Sequence, residues 1–207
     1  MVYEGNHRLV GWSTLRSEVR IMKSRKHRKI LSVAARLISK KSFKGTSLRE
    51  IADKVGLHKS TLFHYFKNKE ELLLEILTEG VDEVSLNLKK IIAEKELAPE
   101  EKLKKAIGSH LALLSEHFDT VNIYLNDFRS LSKKNQPLYL DKRKEYQRNF
   151  EKIIVEMKQN GYFKGLDTKI VTFGLLGMLN WVIKWYQPDG SLRPTEIGDI
   201  FYQMVTK

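Results

Sequence analysis

The chain has 207 residues, 42% apolar and 30% charged, the balance of an ordinary globular protein with room for one large domain or two modest ones. It holds no cysteine, which excludes disulfides, thiolate metal sites and cysteine nucleophiles. Its net charge of +12 is uneven: residues 1–69 carry 17 Lys/Arg and 4 Asp/Glu (+13), and residues 70–207 carry 20 and 21 (−1). Concentration of this kind marks a phosphate-binding module.

In residues 1–22, Trp12, Leu15, Val19 and Met22 fall at i, i+3, i+7 and i+10, a helical stripe. The segment reads as a frayed N-terminal extension, or as residues ahead of a true start at Met22, with a DNA-contacting arm as the alternative. Segment 24–41 places Ile30, Ala34, Leu37 and Ile38 on one face and seven Lys/Arg elsewhere. It predicts the first helix of a three-helix bundle closed by Phe43.

Residues 47–71 are the most informative stretch. Ser47 and Glu50 form a capping box, and Leu48, Ile51, Ala52 and Val55 follow at helical spacing. Gly56 ends this helix where a left-handed residue is needed. A second short helix, about 59–66, has Leu62 and Phe66 on one side and Lys59, Ser60, Thr61 and Tyr65 elsewhere. Two short helices across a glycine turn, the second polar and basic at its start, predict a helix-turn-helix that reads the DNA major groove. Lys59, Ser60, Thr61 and Tyr65 are expected to face the groove. Thr46, Lys67 and Lys69 are expected to hold phosphates, and Ser47 joins this DNA-binding set.

Asn68, with Glu71 at the capping-box position, predicts a long helix over 69–94. Further helices follow over about 99–117, 120–131, 137–160, 168–183 and 194–205, begun by Pro99, Asp167 and Pro194. The helix after Asp167 is apolar almost all round, which predicts burial on more than one side. Pro188-Asp189-Gly190 is a turn. No alternating strand pattern occurs, so the expected fold is all-α. Residues 23–69 are expected to form a helix-turn-helix DNA-binding domain, and residues 70–207 a larger helical domain, to which the family resemblance given below assigns effector binding and dimerisation. The N-terminus has no apolar signal-peptide core, and the uncharged stretch 170–183 is shorter than the roughly 20 residues of a membrane crossing. A soluble, cytoplasmic protein without a membrane partner is expected.

The motif residues Ile30-Leu31, Ala34-Ala35, Phe43, Gly45-Thr46-Ser47-Leu48-Arg49-Glu50-Ile51-Ala52, Val55-Gly56-Leu57 and 59–69 (KSTLFHYFKNK) resemble those of TetR/AcrR-family transcriptional repressors. The resemblance implies a homodimer on a palindromic double-stranded operator, released by a small effector. Members usually carry tyrosine where this chain has Phe63, so one phosphate bond worth ~1 kcal/mol per subunit is lost. The glycine that often ends the first helix is Ser42 here, a milder change.

The C-terminal half resembles the branch that represses fatty-acid and sterol degradation genes, whose effectors are acyl-CoA thioesters. That likeness rests on Phe128-Arg129-Ser130-Leu131, Arg143-Lys144-Glu145-Tyr146 with Phe150, Gly161-Tyr162-Phe163, Gly177-Met178-Leu179-Asn180-Trp181 and 185–190 (WYQPDG). Arg129, Arg143 and Lys144 are candidates for the effector's phosphates, with Tyr146, Phe150, Asn180 and Trp181 around the pocket. Trp185, Tyr186, Ile197, Ile200, Phe201 and Met204 fit a dimer interface made by the last two helices of each subunit. Gly174 and Gly177 would permit close helix approach there.

No catalytic constellation is present and an enzyme is not expected; nor is a cofactor. His110 and His117 could share a helix face, but without a third ligand they predict no metal site. The alternative effector is a lipophilic, often cationic, drug-like compound, which would call for acidic and aromatic residues in the pocket. A nucleoid-type binder without effector would leave the apolar mass beyond residue 100 unexplained.

Overall fold

Helices carry the whole fold among the described residues, and no strand is formed there. The computed structural model describes residues 9–187 and 189–207, with side chains described from Arg25 onward. In chain order the helices are α1 (Leu9–Gly45), α2 (Leu48–Val55), α3 (Lys59–Phe63), α4 (Lys69–Ala93), α5 (Pro99–Glu116), α6 (Phe118–Asp127), α7 (Gln136–Gln159), α8 (Thr168–Trp181) and α9 (Pro194–Thr206). Short 3₁₀ turns follow α6 and α8. None of these helices is long and apolar enough to cross a membrane.

The local signals act as their chemistry requires. Ser47 accepts from the Glu50 amide at 3.1 Å, Asn68 from the Glu71 amide at 2.8 Å and Asp167 from the Ile170 amide at 3.0 Å. Neither expected capping box closes. The Glu50 carboxylate instead accepts from Lys41 at 2.5 Å, and the Glu71 carboxylate takes the Lys67 amide, one residue earlier than Asn68. Gly56 adopts φ 79°, and the Leu57 amide reaches back to Ala52 O at 2.9 Å, which closes α2.

Further expectations are corrected. From Leu9 on, the N-terminal segment is helical and continuous with α1, not frayed. Residues 1–8 and Pro188, and the side chains of Trp12, Leu15, Val19 and Met22, lie outside the described residues. Helix α3 ends at Phe63, three residues early, where the amides of His64 and Tyr65 turn back only three residues, to Thr61 O at 3.2 Å and Leu62 O at 3.0 Å. Ser42 is no mild replacement: it sits at φ 68°, ψ 164°, a conformation that glycine alone adopts without strain.

Two apolar cores result. The first packs Ile30, Ala34 and Ile38 of α1 with Ile51, Leu62 and Phe66, and continues through Leu72, Leu73, Ile76 and Leu77 of α4 to Ile123 and Tyr139. The second joins Leu103, Ile107 and Leu111 of α5 with Phe150, Ile153 and Met157 of α7, Leu175 and Leu179 of α8, and Ile197 of α9. Helix α4 therefore belongs to the basic third and to the larger helical part alike. Helix α8 is buried on one side only: Ile170, Phe173 and Trp181 are 67%, 47% and 64% exposed.

Candidate DNA-binding face and ligand cavity

The first residues of α3, Lys59 and Ser60, are exposed; Thr61 and Tyr65 are half-buried, and Lys67 and Ser47 are exposed. Phe63 is 45% exposed, and the Lys59 ammonium stands 5.8 Å from its ring centroid. His27 of α1 stacks on Phe66 at 4.9 Å and holds α1 against this unit.

Thr46 and Lys69 are placed otherwise than a phosphate role requires. Thr46 is 2% exposed, and its hydroxyl donates to Ser42 O at 3.0 Å. Lys69 folds inward, donating to Phe43 O at 2.7 Å and Thr46 O at 2.8 Å, with its ammonium 4.2 Å from the Phe43 ring centroid. Phe43 lies in the last turn of α1 and Thr46 just beyond it, where carbonyls lack intrahelical partners, and the half-buried ammonium satisfies both. Both residues brace the turn that presents α2.

A cavity of about 690 Å³ lies between α4, α5, α6, α7 and α8. That is within the roughly 300–1,000 Å³ of small-molecule sites. Its wall is mostly apolar, from Leu77, Val81 and Val84 of α4, Leu113 and Leu114 of α5, Val121 and Leu125 of α6, and Phe173 and Leu176 of α8. Arg143, Lys144 and Lys184 supply cations, and His110, Tyr146, Gln147 and Asn180 supply hydrogen-bonding groups. Among the described residues lining it there is no carboxylate.

Of the residues expected around an effector, Arg143, Lys144, Tyr146, Asn180 and Trp181 line this cavity. Two do not. Arg129 leaves on the 3₁₀ turn after α6 and is exposed, its guanidinium 5.9 Å from the Phe128 ring. Phe150 has no exposure and packs beside Tyr146 in the second core. Arg143 lies over the Tyr124 ring at 4.6 Å, and Lys144 pairs loosely with Asp141 at 3.4 Å. Residues not anticipated there complete the wall: His110, His117, Tyr124, Tyr139, Gln147 and Lys184.

His110 is the polar centre of the wall. Its Nδ1 lies 2.8 Å from the Tyr146 hydroxyl, while its Nε2 is buried without a hydrogen-bonding partner. Burial pushes its pKa down to about 4, against a smaller opposing effect of the Asn180 side chain. Burial likewise raises the Tyr146 phenol. His117 instead faces Glu83 at 3.2 Å.

The residues expected in a dimer interface divide. Trp185 and Met204 are exposed, and a Cβ added to Gly174 or Gly177 would meet nothing within 4 Å. Gly177 also lines the cavity. Ile197 is 3% exposed and belongs to the second core, because α9 packs its face against α5; Phe201 is half-buried against the same core.

Residues 30–76 match the model of bacterial regulatory proteins of the tetR family, and residues 96–207 that of a tetracyclin repressor-like C-terminal domain. The chain belongs to the TetR family. It is 28% identical to the HTH-type transcriptional repressor KstR2 of Mycolicibacterium smegmatis over 182 residues, 85% of this chain and 86% of that one. It is 25% identical to the fatty acid metabolism regulator protein of Bacillus subtilis over 166 residues, 79% of this chain and 85% of that one. The solved structure of AibR in complex with isovaleryl coenzyme A and operator DNA is 30% identical, with a TM-score of 0.78 over 87% of this chain and 98% of that one. This chain is a TetR-family DNA-binding transcriptional repressor.

Two helices of this TetR-family repressor join the cavity to the DNA-binding unit. Helix α4 lines the cavity with Leu77, Gly80, Val81 and Val84, and one turn earlier its Glu75 pairs with His27 of α1 at 3.1 Å. Glu79 stands close enough that its potential ligand atom lies within 4.8 Å of those of His27 and Glu75. Helix α6 lines the cavity with Val121, Tyr124 and Leu125, while its Asp127 accepts from the Phe43 amide at 2.9 Å and its Asn122 donates to Ser39 O at 3.1 Å. A ligand that moves either helix therefore acts on both ends of the connection.

Proposed function

We propose that this repressor is a homodimer released from a palindromic operator by a medium- or long-chain acyl-CoA thioester. The observation that carries the effector is the charge of the cavity: Arg143, Lys144 and Lys184 line it and no described lining residue is acidic. An anionic, phosphate-bearing head group matches those cations, and the apolar wall matches an acyl chain. A cationic drug would meet like charge and no counter-charge. AibR, similar in fold and sequence, has been solved with isovaleryl coenzyme A and operator DNA, which supports the same ligand class.

The homodimer reading rests on the uncovered face of α8 and α9. Ile170, Phe173, Trp181, Trp185, Ile200 and Met204 are 44–67% exposed there. Exposed apolar side chains of this size call for a partner, and the open Gly174 and Gly177 allow a helix to approach closely. Release follows as a population shift: ligand between α4 and the helices behind it favours a pose of α4 that spaces the two α3 helices wrongly for successive major-groove turns.

The test is fluorescence anisotropy on a palindromic duplex selected by the protein from random DNA. Affinity should fall steeply with salt, with a log–log slope of roughly −5 to −9 for about six to ten neutralised phosphates. Micromolar acyl-CoA should release the duplex, and the free acid or CoA alone should not. Release by a lipophilic cation but not by acyl-CoA would transfer the site to the drug class.

A further inference from the structure

The cavity holds one feature that charge and chain length do not explain. His110 of α5, Tyr146 of α7 and Asn180 of α8 bring polar side chains into a wall that is mostly apolar. The His110 ring is buried, and its Nε2 has no hydrogen-bonding partner within 3.5 Å; the Asn180 side chain is the neighbouring group that acts on the ring as a hydrogen-bond acceptor, against the larger effect of burial. A buried polar atom without a partner is uncommon, and one in the wall of a ligand cavity points to a group the ligand supplies.

The hydrogen-bond count gives that atom its polarity. The Tyr146 hydroxyl and His110 Nδ1 are 2.8 Å apart, and this is the hydroxyl's only hydrogen bond among the described residues. If the phenol donates to Nδ1, the ring proton sits on Nε2 and a single donor is left over. If Nδ1 donates to the phenol, both Nε2 and the phenol proton are left over. The first arrangement leaves fewer buried groups unmatched, so Nε2 carries the hydrogen. The ring is held neutral, its pKa lowered by burial to about 4. A neutral buried donor suits a neutral acceptor oxygen; a free carboxylate would bring an uncompensated charge to it.

We propose that His110 Nε2–H donates to the thioester carbonyl oxygen of the acyl-CoA, beside the Asn180 carboxamide, so that the cavity reads a carbonyl and not merely a chain. This rests on the acyl-CoA reading above and adds to it the point at which the acyl group is fixed. Tyr146 is a positioning residue: it sets the tautomer of His110.

The probes are dodecanoyl-CoA and its thioether analogue S-dodecyl-CoA, which keeps chain, sulfur and phosphates and lacks only the carbonyl. Calorimetric titration into the full-length wild-type protein should show the thioester binding about tenfold tighter, the ratio of one well-matched hydrogen bond. In His110→Phe the two probes should bind alike. Tyr146→Phe keeps the imidazole but releases its tautomer, and should shrink the ratio without abolishing binding. Equal affinities in the wild type overturn the role of His110 and leave the acyl-CoA reading standing. A full ratio in a folded His110→Phe protein, checked by its thermal melt, overturns it as well. If neither probe binds the wild type, the acyl-CoA reading itself fails and takes this inference with it.

Discussion

Gly80 of α4 and Thr120 of α6 pack so closely that a Cβ on the glycine would stand 2.8 Å from the threonine Cγ2. The contact lies where the two helices that join cavity and DNA-binding unit cross. Gly80 itself lines the cavity, and Glu75 and Asp127 on the same two helices hold α1. The relative pose of α4 and α6 is thus set at a glycine. Gly80→Ala should force the helices apart, at an overpacking cost of ~1–3 kcal/mol. We expect a lower melting temperature and weaker operator binding with no effector present. Wild-type operator affinity in the folded variant would show that this crossing does not govern the pose of the DNA-binding unit.

Ser42 occupies φ 68°, ψ 164°, a region where a side chain costs of order 1–3 kcal/mol. The compensating bonds do not need its side chain: Thr46 Oγ1 donates to the Ser42 carbonyl, and Ser42 Oγ receives only a long 3.4 Å bond from the Gly45 amide. Ser42→Gly should therefore raise stability by about 1 kcal/mol, read as a higher urea midpoint at unchanged slope. A neutral or destabilised variant would contradict the strain.

Lys69 and Lys59 separate bracing from DNA contact. Lys69 donates to Phe43 O in the last turn of α1 and to Thr46 O just beyond it. Lys69→Ala should cost about 1.5–3 kcal/mol of stability, the range for charged hydrogen bonds, and leave the salt slope of operator binding intact. Lys59→Ala should leave stability unchanged and flatten that slope by about one unit per subunit. The reverse pattern would restore Lys69 to the phosphates.

His110 gives stability a pH dependence of known sign. In the unfolded chain the imidazole titrates near 6.5, and in the native state burial lowers it to about 4. Well above pH 6.5 neither state binds the proton. As pH falls from 6.5 toward 4 the unfolded chain takes it up and the native state does not, so stability drops by up to about 3 kcal/mol. Glu50, Glu70, Glu145 and Glu196, held low by hydrogen bonds and neighbouring cations, lose their contribution at lower pH. Urea unfolding of wild type and His110→Phe at pH 7.5 and 5 isolates the histidine. Parallel losses in the two proteins would contradict its burial as a neutral ring.

The helix-turn-helix was legible because its signals are local. Ser47, Gly56 and Asn68 act within four residues of themselves, and sequence order determines what they meet. The cavity was half legible for the opposite reason. Arg129 and Arg143 look alike in sequence, yet only Arg143 turns inward, onto the Tyr124 ring. Ile197 and Ile200 are one turn apart on α9; one faces α5 and the other is 44% exposed. His110, Tyr124 and Lys184 become neighbours of the effector residues only when five helices pack. Lys69 misled because, in a basic module, a lysine folded back on carbonyls reads like one that faces phosphate.

The central claim is that effector and operator compete through one equilibrium of the repressor. Linkage then requires operator DNA to weaken acyl-CoA binding by the same factor that acyl-CoA weakens operator binding, ~1–3 kcal/mol for ordinary allosteric coupling. Calorimetric titration of dodecanoyl-CoA into free protein and into operator-saturated protein measures this directly. The account predicts binding to both, about 5- to 150-fold weaker with DNA present. Equal affinity in the two titrations would contradict it, even with the ligand bound in the cavity.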